Sequence, residues 1–66
     1  MREVELSESM SVSELAGALE VRPSAVVGVA FRSLGLIATI QQRVTFEQGS
    51  LIAAELGFVA RRKGLE

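Results

Sequence analysis

Residues 11–35 hold a helix start, a short turn, a second helix start and a helix stop in immediate succession, and that order leaves few folds open. Ser11 and Glu14 form an S-x-x-E capping box, flanked by Met10 and Leu15 at the two hydrophobic-staple positions. Val12, Leu15, Ala16 and Leu19 then recur at i, i+3, i+4 and i+7, which is one face of a short helix. A three-residue turn leads to Pro23, whose fixed φ and missing N–H suit the first position of a second helix. Val21 and Val26 would staple that helix, and Gly35 stands where a left-handed residue should end it. At about 100° per residue, Val26, Val27, Val29, Ala30, Phe31 and Leu34 cover more than half the circumference. Only Ala25, Gly28 and Arg32 are left as an outer strip. A helix apolar nearly all round is an interior one, so the second helix is expected to be central scaffolding. With Val27 or Phe31 open to water it would instead be a reader or dimerisation surface.

The flanks read as strands and one more helix. Residues 2–6 alternate charge with Val4 and Leu6, the period of a half-buried strand, and Ser7-Glu8-Ser9 is a polar turn. Leu36 to Ile40, with β-branched Ile37, Thr39 and Ile40, predicts a strand returning through Gln41-Gln42 to Arg43-Val44. Thr45 and Gln48 make a second capping box. It opens a third helix with Gly49, Ile52, Ala53 and Leu56 on its buried face, Leu51 beside them, and Gly57 at its end. Phe58-Val59-Ala60 adds a C-terminal edge strand before the basic Arg61-Arg62-Lys63. The expected fold is α+β: three short helices on one side of a small antiparallel sheet, in the order strand-helix-helix-strand-strand-helix. One domain spans residues 2–61, and 62–66 begin a basic tail or linker whose Leu65-Glu66 reads as a cloning remnant.

Composition narrows the function. A chain of 66 residues supports one small domain, and 48% apolar residues with 23% charged is a globular balance. There is no Cys and no His, which removes disulfides, thiolate or imidazole metal sites and His-based acid–base chemistry. No glycine-rich phosphate loop or Gly-x-Ser-x-Gly elbow is present. Glu14 is a cap, Glu47 lies in a helix's first turn where the dipole favours an acid, and Glu55 is solvated near a helix end, so the chain does not read as an enzyme. No apolar run approaches the ~20 residues that span a bilayer, and the N-terminus lacks a secretion-signal core, which fits a cytoplasmic setting.

Two arrangements use paired short helices of this kind. A helix-turn-helix reader of duplex DNA needs a second helix whose exposed side chains hydrogen-bond to base edges. Ser24, Ala25, Gly28 and Arg32 offer one bidentate donor, about 1–3 kcal/mol of discrimination against the 4–10 typical of specific sites. A net charge of −1 also lacks the basic surplus of a free-standing nucleic-acid binder. Arg22, Arg32 and Arg43, with Arg61, Arg62 and Lys63, are the candidate contacts to a phosphate-rich partner, unless Glu3, Glu5 and Glu8 neutralise some of them. Ala25 and Gly28 form a small-residue strip where another backbone could approach, or where a neighbouring helix of the same domain crosses tightly.

The second arrangement is a specific resemblance. Val12-Ser13-Glu14-Leu15-Ala16, Val21-Arg22-Pro23-Ser24-Ala25-Val26-Val27, Leu34-Gly35-Leu36-Ile37-Ala38-Thr39-Ile40-Gln41-Gln42, Phe46-Glu47-Gln48 and Leu51-Ile52-Ala53-Ala54-Glu55-Leu56-Gly57-Phe58 together resemble the small N-terminal module of bacterial translation initiation factor 2. That family's pattern is close to V-x-E-L-A, V-K-P-S-x-V-I, L-G-I-M-A-T-I-N-Q and L-I-A-E-E-L-G, and the likeness runs from about Val4 to Arg61. Glu20 stands where the family usually has Gly, at about 1–2 kcal/mol if φ there is positive. Gln41 replaces the usual Asn, and Gly28 and Val29 replace lysines in the middle of the second helix.

The resemblance implies a module of the GTP-dependent factor that delivers formylmethionyl initiator tRNA to the small ribosomal subunit. It implies weak, salt-dependent docking on that subunit, through rRNA or an acidic ribosomal-protein surface, by a monomer that makes no sequence-specific DNA contact. GTP and Mg would belong to a GTPase part outside these residues, so no cofactor is expected here.

Overall fold

A computed structural model describes residues 2–63, and the proposed remnant Leu65-Glu66 lies outside them. The elements run β1 (Arg2–Leu6), β2 (Ser9–Ser11), α1 (Val12–Leu19), α2 (Pro23–Leu34), β3 (Arg43–Thr45), α3 (Phe46–Glu55) and β4 (Phe58–Arg62). Both capping boxes form. Ser11 Oγ accepts from the Glu14 amide at 3.0 Å while Glu14 Oε1 accepts from the Ser11 amide at 2.9 Å. Thr45 Oγ1 accepts from the Gln48 amide at 3.2 Å, and Gln48 Oε1 from the Thr45 amide at 2.9 Å. Pro23 opens α2 and Gly35, at φ +63°, closes it.

The fold is α+β with three helices, but its strands depart from expectation. There are two small sheets: β1 pairs with β4 in parallel, and β2 pairs with β3 antiparallel. Parallel pairing follows from topology, since β1 and β4 are joined by a long crossover carrying every helix. Residues 36–40 form no strand. The segment's end and the residues after it serve α1 instead: Ile40 O accepts from the Ser13 amide and Gln42 O from the Val12 amide, both at 2.9 Å. The loop thus satisfies two orphan N–H groups at the start of α1. With that segment unavailable, β3 pairs with Ser9–Ser11, a stretch whose polarity reads as a turn and whose one buried residue is Met10. The last strand also runs on through Arg62, and the Lys63 amide bonds to Leu6 O at 2.9 Å, so the basic residues 61–63 belong to the sheet edge.

Two local copies of one unit organise the centre. Strand, cap and helix recur with an offset of 34 residues: Ser11 matches Thr45, Glu14 matches Gln48, and the Val12→Gln42 amide–carbonyl bond is mirrored by Phe46→Glu8 at 3.0 Å. In the antiparallel pair Met10 faces Val44, its own counterpart, so the two units meet about an approximate twofold. Their buried faces supply most of the core, Met10, Val12, Leu15, Ala16 and Leu19 against Val44, Ile52 and Ala53, with Leu6 of β1 and Phe58 of β4 added from the parallel sheet.

The second helix is not central scaffolding. It packs mainly against α1 and α3 and buries only Val26, Val29 and Ala30. Val27 is half-buried and Phe31 is 60% exposed. A helix with two neighbours cannot hide an apolar surface that runs most of the way round it. Core contact by Val26, Val29 and Ala30 turns the side bearing Ser24 and Phe31 outward, with Gly28 half-buried between them, a rotation of about 60° from the expected strip of Ala25, Gly28 and Arg32.

Glu20 takes up the left-handed conformation at φ +58°, where its amide bonds to Gly17 O at 3.2 Å and the Val21 amide to Ala16 O at 3.0 Å. A side chain in that region is strained by about 1–2 kcal/mol. Among the described residues its side chain makes one ion pair, with Arg2 at 3.4 Å, both partners largely exposed and therefore contributing about 0–1 kcal/mol. Glu20→Gly is expected to stabilise the domain by about 1 kcal/mol, raising Tm by about 4–8 °C in a thermal melt. An unchanged or lower Tm would show that the Glu20 backbone is not strained.

Candidate interaction surface

The six candidate cations separate into engaged and open groups. Arg43 lies 3.5 Å from Glu14 and also donates to Ser9 Oγ at 3.3 Å, so it braces the α1 capping box across β2 and β3. Arg61 lies 3.6 Å from Glu3 on the paired strand. Arg62 is the most committed: it forms a close ion pair with Glu8, another with Glu47 at 3.3 Å, and stands 4.3 Å over the Phe46 ring. It ties β4 to the β1–β2 turn and the start of α3. Arg22, Arg32 and Lys63 have no ion-pair partner among the described residues. The neutralising role considered for Glu3 and Glu8 is therefore real for Arg61 and Arg62.

Arg62 and Glu47 shape each other's charge. The Glu47 backbone amide, followed by the Arg62 guanidinium, holds the Glu47 carboxyl below its ordinary value of 4.5. The hydrogen bond to Glu8, chiefly, raises Arg62, which stays charged at every accessible pH. A carboxyl lowered in the folded state stabilises it above the unfolded value and loses that contribution as pH falls through the folded value. Wild type is thus expected to exceed Glu47→Gln in urea midpoint by a constant margin above about pH 5.5, with the margin closing below about pH 4.5. A margin independent of pH would place the effect in the amide substitution alone.

Two of the three open cations, Arg22 and Arg32, sit in an unusual span. From Val21 to Phe46 there is no Asp or Glu, and there are three arginines. That stretch of α2, loop and β3 carries +3, while the remainder sets four cations against eight acids. Arg32 lies in the last turn of α2, where the helix dipole favours a cation, and its Nη1 is 3.4 Å from where a Cβ on Gly28 would stand. The expected close-approach strip at Ala25 and Gly28 is therefore not a helix crossing: Ala25 is half-buried and the Gly28 notch is covered by the domain's own guanidinium.

Three large apolar side chains accompany this charge. Phe31 is 60%, Ile37 85% and Ile40 51% exposed, all within the end of α2 and the loop after it, whereas Leu36 and Ala38 turn inward. Sequence reasoning missed them by placing Phe31 in the core and Ile37 and Ile40 in a strand. A signal was present, because Ile37 and Ile40 are three apart and cannot share one face of a strand. Elsewhere a groove of 330 Å³ lies among Glu5, Met10, Glu14, Arg43 and Lys63, where both signs of charge meet and Glu14 and Arg43 already engage each other. No helix among the described residues is long and apolar enough to cross a membrane.

Comparison with known proteins locates this architecture. Residues 7–58 match the family described as the N-terminal region of translation initiation factor IF-2. The chain is 39% identical over 57 residues to translation initiation factor IF-2 of Desulfosudis oleivorans, and 39% identical over 57 residues to that of Desulfotalea psychrophila. In each case the match covers 86% of this chain and 6% of the relative. The factor of an Anaeromyxobacter species is 33% identical over 63 residues, 96% of this chain and again 6% of its own. The chain thus spans a small fraction of the length of the relatives it matches.

Proposed function

The chain belongs to the family of translation initiation factor IF-2 N-terminal regions, and on that premise we propose that it is a non-catalytic docking module. It would assist the factor that brings initiator tRNA to the small ribosomal subunit in seating on that subunit. The observation that carries this reading is the acid-free span from Val21 to Phe46, with Arg22 capping α2 and Arg32 in its last turn, neither in an ion pair among the described residues. An acidic partner, rRNA or a ribosomal protein, meets no carboxylate along that span.

Arg22 and Arg32 are the leading contacts. Arg43 and Arg61 follow, because exposed ion pairs contribute about 0–1 kcal/mol and can be exchanged for a partner's charge. Arg62 is held by two carboxylates and a ring and serves the fold, while Lys63 is open but lies on β4's side of the molecule. Contacts of this kind are weak and salt-dependent. The test is co-sedimentation of the 66-residue chain with small subunits. Pelleting at about 50 mM salt, lost at about 500 mM and reduced about tenfold in the Arg22→Ala, Arg32→Ala double variant, is the expected pattern. No pelleting at low salt, or pelleting indifferent to both arginines, removes the proposal.

A further inference from the structure

Phe31, Ile37 and Ile40 give the face formed by α2 and its following loop a second chemistry that charge alone does not explain. A phosphate backbone gains nothing from aliphatic side chains, and RNA is held by aromatic or guanidinium planes that stack on bases. This face has one ring and two isoleucines, the larger exposure being aliphatic. We infer that it takes an amphipathic helix of a protein partner, an apolar ridge flanked by carboxylates.

Three observations on the molecule define that occupant. The ridge answers Phe31, Ile37 and Ile40, which water now covers and which lie on the outer side of α2 and on the loop beyond it. The carboxylates answer Arg32, laid back over Gly28 beside that ridge, and Arg22 at the other end of α2. Their ten-residue separation along the helix is about 15 Å, roughly three turns of a partner helix lying alongside. A second copy of the chain fits badly, because a twofold contact through this face would oppose arginines to arginines with no acid between Val21 and Phe46 to separate them. The groove between the helices is filled by the domain's own core, so the partner would lie on the surface, anchored by a few side chains, which is the usual mode of helix recognition on an apolar face.

This inference deepens the docking proposal by naming the partner's chemistry. Its direct test is titration of the isotope-labelled 66-residue chain with three probes. One is a synthetic helical peptide of about 18 residues with leucines at i, i+3, i+4 and i+7 flanked by glutamates; the second has lysines for the glutamates; the third is a single-stranded oligouridine. The glutamate peptide is expected to bind at least about tenfold more tightly than the lysine peptide, with amide shifts confined to residues 21–40. Ile37→Ser and Phe31→Ser, both at exposed positions and so expected to keep the wild-type helical signal, should each weaken it about fivefold or more. Arg32→Glu should reverse the preference between peptides. Equal affinity for the two peptides, shifts centred outside 21–40, or tighter binding of the oligouridine each overturns the inference.

Pelleting with small subunits separates the two claims. If Ile37→Ser pellets like wild type while Arg22→Ala, Arg32→Ala does not, docking stands and the apolar partner falls. If wild type fails to pellet yet prefers the glutamate peptide, the surface stands and ribosome docking falls.

Discussion

Leu15→Ala is expected to leave the domain largely unfolded at 37 °C. Leu15 is fully buried on α1, within the cluster that also contains Leu6, Leu19 and Ile52. Truncating a leucine in such a place costs about 2–5 kcal/mol, the lost transfer energy plus the cavity left behind. A single core in a chain of this size supplies about 3–5 kcal/mol in total, so one substitution consumes most of it. Far-UV circular dichroism with urea titration reads this as a collapsed midpoint or an absent native baseline. A midpoint shift equivalent to less than about 1 kcal/mol would mean that the two helix units close over the gap, and that the centre is softer than its burial indicates.

The second large effect comes from adding atoms. Gly49 is buried on α3, and a Cβ there would stand 3.0 Å from Met10 Cε, 3.3 Å from Leu6 Cδ1 and 3.8 Å from Leu15 Cδ1. Gly49→Ala is expected to be near neutral. It gains about 1 kcal/mol of helix propensity, while the tightest clash is with the free end of a methionine that can swing aside. Gly49→Val has no such relief, since its added methyls press on Leu6 and Leu15 as well, and it should cost about 2–3 kcal/mol. The two substitutions interact. Leu15→Ala opens space next to the methyls that Gly49→Val introduces, so the double variant should be less destabilised than the sum of the singles by about 1 kcal/mol or more. The cycle is read at low temperature in concentrated sucrose, an excluded osmolyte that restores a native baseline to all four proteins; strict additivity in urea midpoints there would show that the Leu15 and Gly49 sites do not share a volume.

These two positions also show why the sequence was readable where it was. Leu15 lies on a stripe whose start is fixed by a capping box, and Gly49 occupies the matching place one unit later. The two capping boxes, Pro23 and the left-handed Gly35 are local chemistry, each decided by a handful of neighbours, and each formed as read, while the open choice at Glu20 went to the left-handed conformation. Strand pairing is not local. Ser9–Ser11 has too few residues to show a period, yet it pairs because β3 arrives beside it. Ile37 and Ile40 have strand-forming side chains, yet their backbone is drawn into capping α1.

The three helices, where they start and the α+β class were legible in the linear order of residues, because hydrogen-bond capping and apolar spacing act within a few residues. The sequence motifs also carried the family. Which way α2 turns, and which cations lack a carboxylate partner among the described residues, came from packing between distant segments. Helix orientation depends on how many neighbours can cover an apolar surface, and α2 has two, so Phe31 faces water. Likewise an arginine's availability depends on which distant carboxylate the fold brings within about 4 Å, a fact of packing that no linear pattern of charges contains.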